Sequence, residues 1–232
     1  MLGRNHVALS LASALLLATP WIPGSLATVA LVLAGVWIGA FLPDMDTDGM
    51  RVVRGVMMPR FLVRILRWLL FVIVGVAFRL VRQPFHSEHR GSLHTLLGIG
   101  FYSTVICFTV YAALKMAGIW DPGVLFLFAG LVGGGLLHLL EDCCTRWGIR
   151  PFIPLWQHRF HGGISTGNSA DKRPEIYASV LFTIAGALCY FNLTQHFEQI
   201  QMIKISGLVF LTVWVMFYVF AKIPIRDRSR EA

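Results

Sequence analysis

The recurrence of long apolar segments constrains this chain most. Seven of them run approximately over residues 7–23, 25–42, 61–81, 93–118, 122–141, 176–193 and 203–221. Several approach or reach the roughly 20 residues that a helix needs to cross a hydrocarbon core of about 30 Å. A helix satisfies its own backbone hydrogen bonds in lipid, so the expected fold is all-α, a polytopic membrane helical bundle. Hydrophobic residues make up 56% of the chain and charged residues 14%, which excludes an ordinary soluble globular domain. The 232 residues then form one membrane-embedded domain with little left over. Cleavage of residues 1–24 as a signal peptide is not expected, because Ser25-Leu26-Ala27 is a weak site and another apolar segment follows at once.

The third segment differs from the rest. Arg60, Arg64 and Arg67 stand at i, i+4 and i+7 and so share one helical stripe, with Arg79 and Arg82 beyond them. Such a helix is expected to lie in the interface, apolar face down, rather than cross. Six transmembrane helices plus this interfacial amphipathic helix, 61–81, put the N-terminus, loops 43–92 and 142–175, and the basic tail 222–232 on one side. That side collects Arg4, eight arginines from Arg51 to Arg90, five basic residues from Arg146 to Arg173, and Lys222, Arg226, Arg228 and Arg230. Only Lys115 and Lys204 stand opposite. The asymmetry makes the basic side cytoplasmic, with both termini there. The net charge of +8 therefore reads as topology, and no nucleic acid partner is expected. Cys107, Cys143, Cys144 and Cys189 show no C-x-x-C spacing and imply no disulfide framework.

His6, His86, His89, His94, His138, His158 and His161 all fall on the basic side or at the membrane edge beside it, whereas His196 does not. Asp44, Asp46, Asp48, Glu141 and Asp142 share that layer. Ionisable groups at membrane depth are costly and mark function. His138 and Asp142, four residues apart, project from one helix face and can hold one cation. Pro43-Asp44-Met45-Asp46 closes the second span with one or both carboxylates in reach of a metal. His89-Arg90-Gly91-Ser92-Leu93-His94 opens the fourth span, with His89 before the helix and His94 in its first turn. A neutral, ligating imidazole is more comfortable there than a cationic one. Arg90 is suited to hold a substrate phosphate bidentately, and His6 precedes the first span at the same depth.

His6, Asp44, Asp46, His89, His94, His138 and Asp142 are thus the expected metal ligands. Imidazoles with carboxylates suit Zn²⁺ first, then Mn²⁺ or Fe²⁺. Asp46 or Glu141 is expected to accept a proton and Arg90 to stabilise charge on phosphate. Whether His86, His158, His161 and Glu175 join the site is open. Trp156 to His161 reads more readily as an interfacial anchor, and Pro174-Glu175 as ordinary helix-start chemistry.

Taken in order, these residues resemble the YdjM-like family of bacterial inner-membrane proteins, regarded as metal-dependent hydrolases. The carrying features are His6, Pro43-Asp44-Met45-Asp46, His89 through Thr95, and His138 through Asp142, Thr145 and Gly148 to Pro154. Ser165-Thr166-Gly167 with Glu175 is similar to the family's last polar loop. The resemblance covers about residues 5 to 175. It departs from the family at Thr95, where Ser is common, and in a longer arginine-rich insertion between Asp48 and His86. More distantly, His138-x-x-x-Asp142 with an early His and Asp is similar to the zinc-dependent phospholipase C and P1 nuclease group, which implies phosphoester chemistry. The resemblance implies a metal-dependent hydrolase of the bacterial inner membrane. Together with the charge asymmetry, the expected activity is on a lipid or amphiphilic phosphoester at the cytoplasmic leaflet, with helix 61–81 admitting substrate from the lipid bilayer. Two other classes would use the same residues differently. A metal-ion or proton transporter places its site near the midplane, and a non-catalytic membrane scaffold uses the arginines but not the histidines.

Overall fold

The computed structural model describes residues 3–46, 60–165, 171–195 and 197–223. Asp48, Arg51, Arg54, Thr166, Gly167, His196, the side chain of Arg60 and the tail from residue 224 lie outside the described residues. Among the described residues the helices are α1 (Gly3–Ala18), α2 (Leu26–Phe41), α3 (Arg60–Leu80), α4 (Leu96–Met116), α5 (Val124–Cys143), α6 (Arg173–Gln195) and α7 (Gln199–Ala221). The expected all-α bundle is the fold observed. By length and composition, α2 together with its 3-10 continuation to Asp46, and the helices α3 to α7, are able to cross a membrane. The count of six agrees with the expectation, but its membership differs. Helix α3 is in it, and α1, with 16 residues, is too short by itself and continues into a 3-10 turn at Thr19–Trp21.

Local chemistry sets the boundaries. Pro20 and Pro23 break the chain after α1, and the Ser25 side chain accepts from Thr28 N at 3.2 Å to start α2. Thr95 does the same for α4, accepting from Gly98 N at 2.9 Å, so His94 sits in the 3-10 turn Ser92–His94 ahead of that helix rather than in its first turn. Gly118, at φ +69°, ends α4 in the left-handed region that glycine tolerates.

The centre of the bundle is the α2·α5 contact. Cβ atoms placed at Gly35 and Gly39 would collide with the backbone of Leu127, Leu131 and Gly135, and those at Gly130 and Gly134 with the backbone of Val32, Val36 and Ala40. These four small positions, spaced by four on each helix, let two backbones touch, which is how helices associate in lipid without a hydrophobic drive. Sequence numbers rise together across the contact, so α2 and α5 are parallel.

The rest follows in direction. Arg4 pairs with Glu175, Asn192 Nδ2 donates to Thr19 O, and Trp214 Nε1 donates to Ser13 Oγ, so α6 runs with α1 and α7 against both. Arg173 donates to the carbonyls of Gly163, Phe220 and Ile223, closing the end of α7 against the start of α6. One end of the bundle thus holds the starts of α1, α4 and α6 and the ends of α2, α5 and α7. The segment between Asp46 and His89, which contains α3, leaves that end and returns to it. Helix α3 buries Val63, Leu70, Val74 and Phe78 against Leu42, Met45, Leu93 and Ile99, while Arg64, Trp68 and Arg79 stay exposed on its other side.

Candidate metal centre

The end of α2 delivers Asp44 and Asp46 on a 3-10 turn, Pro43–Asp46, and the end of α5 delivers His138, Glu141 and Asp142. His94 arrives from the turn before α4, His6 from the first turns of α1, and His89 and Arg90 from the loop that follows α3. His6, His94, His138, Glu141 and Asp142 are at most 2% exposed and Asp46 is 4% exposed.

Each buried imidazole is held by the nitrogen that faces away from the centre. His6 Nδ1 meets Glu141 Oε2 at 2.6 Å, and Glu141 Oε1 accepts from Ser10 Oγ at 2.7 Å. His138 Nδ1 donates to Ala40 O at 2.8 Å. His94 Nδ1 faces Asp46 Oδ2 at 3.1 Å, off the line of a regular hydrogen bond. A carbonyl or carboxylate on Nδ1 assigns the proton there and leaves Nε2 as a lone pair. Yet His94 Nε2 and His138 Nε2 stand 3.3 Å apart, with Asp142 Oδ2 at 3.4 and 3.6 Å and Asp44 Oδ1 at 3.8 and 3.7 Å from them. His6 Nε2 adds a further donor, 3.7 Å from Asp142 Oδ1. Asp142 Oδ2 is buried and has no hydrogen-bond partner.

Lone pairs and carboxylates converging in a dry site repel unless a cation lies among them. Donors bound to one tetrahedral ion at about 2.0–2.1 Å are separated by about 3.3–3.4 Å, which His94, His138 and Asp142 approach. Among the described residues, three overlapping groups have suitable geometry: His6, Asp44 and His138; Asp44, His89 and His94; and His94, His138 and Asp142. The same demand registers as proton affinity. Burial acts against charge on His94, but Asp46, Asp44 and Asp142 outweigh it and hold that imidazole up at about 10.

All the expected ligands come together, in unequal positions. Asp46 spends its oxygens on His89 Nδ1 at 2.8 Å, Arg90 N at 3.0 Å and His94, so it orients imidazoles. Glu141 is likewise engaged with His6 and Ser10. Arg90, at φ +67°, donates from its guanidinium to Asp142 Oδ1 and Thr145 Oγ1, both at 2.8 Å. Only Asp44 and His89 open the cluster outward, with side chains 20% and 45% exposed.

His86, His158, His161 and Glu175 stay outside. The His86 side chain is exposed, His158 stacks on Trp156, and Glu175 pairs with Arg4 and Lys172. Cys144 Sγ donates to Leu140 O, and burial pushes its thiol well up, so it remains protonated. Two partners were missed in the sequence, Ser10 and the Ala40 carbonyl, and Thr145 figured only among the features of the resemblance, with no role. Ser10 was discoverable, since it lies four residues from His6 on the same face, whereas the Ala40 carbonyl carried no signal.

No curated protein and no solved structure matches this chain. The YdjM inner membrane protein family does match, over residues 1–226, a span that includes every residue of the cluster. A bundle of apolar helices with a buried His and Asp cluster at one end is thus a multi-pass inner-membrane protein, and the chain belongs to the YdjM inner membrane protein family.

Proposed function

We propose that the protein is a membrane-embedded, metal-dependent hydrolase of lipid or amphiphilic phosphoesters. His94, His138 and Asp142 would hold the cation, with His6 and Asp44 at its flanks. The observation that carries this reading is the convergence of imidazole lone pairs and carboxylates, with the outer nitrogens of His6 and His138 hydrogen-bonded and that of His94 facing Asp46. Two histidines and a carboxylate are a ligand set that zinc enzymes use with one position left for water, and Mn²⁺ or Fe²⁺ suits the same donors. A divalent cation there supplies Lewis acidity and a nucleophile at neutral pH.

The chain's own groups divide the remaining work. Glu141, Asp46 and the Ala40 carbonyl lock the rings. Asp44 stands at the open edge of the cluster, where a carboxylate can take a proton from water. Arg90, braced by Thr145, offers its guanidinium to the phosphoryl oxygens. Ligands gathered at helix ends argue against transport, whose sites lie near the midplane on broken helices.

The return of the Asp46–His89 segment to its starting end supports an interfacial α3. If the other six helices cross, a crossing by α3 would oblige the chain to recross lipid within one of the short stretches that flank α3, which hydrocarbon disfavours. The charge asymmetry then supports a cytoplasmic side for the cluster and both termini.

Elemental analysis of purified protein, followed by a screen of phosphate-ester lipids with and without chelator, tests the reading. Wild type should hold a divalent cation and hydrolyse a phosphoester, and His138→Ala and Asp142→Ala should lose the metal and at least about a hundredfold in rate. Variants that keep both metal and wild-type rate would end this assignment.

A further inference from the structure

The stretch Thr145–Ile164 leaves α5 at the cluster's end, and apart from Thr145 it is not used by the chemistry above. It holds three arginines, two histidines and no acidic residue. The stretch is folded: Ile149 and Phe160 exchange backbone hydrogen bonds at 2.9 Å, Leu96 N donates to Pro151 O at 2.8 Å, and Gly162 N to Thr145 O at 2.8 Å. Its tip is a cluster of rings. Phe152 lies 5.8 Å from Trp156 and 5.7 Å from Phe160, and the ring of His158 is stacked 5.1 Å from Trp156.

This ordered cluster presents its apolar surface outward. Trp147 is 68% exposed, Leu155 93% and Trp156 54%, and the side chains of Arg150 and Arg159 are exposed among them. Rings and one aliphatic side chain held in a hydrogen-bonded loop at the end of α5, with cations and no carboxylates, match the headgroup layer, where indole bodies seek hydrocarbon and guanidinium groups seek phosphate. We propose that Trp147–Phe160 is an anchor in the headgroup layer that selects anionic phospholipid and seats it beside the metal cluster. Thr145, at its root, holds Arg90, so the anchor and the cluster share one support. The inference rests on the membrane setting and does not require hydrolysis.

The test uses the full chain in nanodiscs containing phosphatidylcholine and phosphatidylglycerol in equal parts. Lipid retained by the protein is counted by native mass spectrometry, and the difference in fluorescence between wild type and Trp156→Phe is followed with lipids brominated near the headgroup. Wild type should enrich phosphatidylglycerol, and R150Q/R159Q should lose that enrichment several-fold, up to about twentyfold. The Trp156 signal should be quenched by the brominated lipid. Unchanged enrichment in the arginine variant, or a Trp156 signal quenched only by aqueous iodide, as for a surface that serves a soluble partner, overturns the proposal. Metal content should be the same in R150Q/R159Q as in wild type, so failure here is distinct from failure of the hydrolase reading.

Discussion

Adjacent glycines in α5 should respond oppositely to the same substitution. A Cβ at Gly134 would lie inside the backbone of Val36 and Ala40, whereas one at Gly133 meets nothing within 4 Å. Alanine gains up to about 1 kcal/mol of helix propensity over glycine at either site. At Gly133 nothing opposes that gain. At Gly134 the obstacle is backbone, which cannot rotate aside, so α2 and α5 must separate at a cost of about 3 kcal/mol or more. The net expectation is a loss of about 2 kcal/mol at Gly134, roughly 4–8 °C in Tm for a chain of this size, and no loss at Gly133. Function should follow, because separation draws Ala40 O away from its 2.8 Å bond to His138 Nδ1 and shifts Asp44, on the same helix end, from the cluster. Tryptophan fluorescence during heating in detergent, with metal content measured on the same samples, reads both effects. Equal Tm and equal metal content in Gly133→Ala and Gly134→Ala would refute the argument that a backbone contact between α2 and α5 positions the centre.

The groups that hold the imidazoles from outside should matter nearly as much as the ligands. Glu141→Ala should weaken metal binding by about 10- to 100-fold in competition with a chelating dye, and Ser10→Ala by less. Proton competition gives a second expectation. Since the His94 pKa is raised from 6.5 to about 10, a metal ion binding at neutral pH must displace that proton, and affinity should weaken as pH falls. Calorimetry in two buffers of different ionisation enthalpy should find about one proton released per ion, and buffer-independent heats would contradict it. The sign for the metal-free protein is opposite. The protonated imidazole contributes stability that is complete below about 6.5 and is lost as pH rises through about 10, so Tm should fall over that range. Arg90→Lys keeps the charge but loses the two-pronged hold on Asp142 and Thr145. It should retain metal and lower phosphoester hydrolysis by about a hundredfold, and an unchanged rate would remove Arg90 from the reaction.

The chain's amino-acid pattern alone determined the class of fold and the layer of the site. Twenty-residue apolar segments leave few alternatives to a helical bundle in lipid, and charges that cannot stay in hydrocarbon fall at segment ends. His138 and Asp142 were legible as a pair because four residues on a helix is a fixed distance, and the arginine stripe of α3 was legible for the same reason. Tertiary structure decided which group does what. Asp44 and Asp46 are two residues apart and chemically identical, yet one lies at the open edge of the centre and the other orients His89 and His94. That difference comes from which neighbours a 3-10 turn presents them to. Glu141 and Asp142 are adjacent on α5, and only packing against α1 or against His94 separates their roles. The Ala40 carbonyl, with no side chain to advertise it, became a partner of His138 because four glycines let two backbones meet. Such assignments depend on contacts between residues about 40 to 140 positions apart, and local periodicity carries no information over that range.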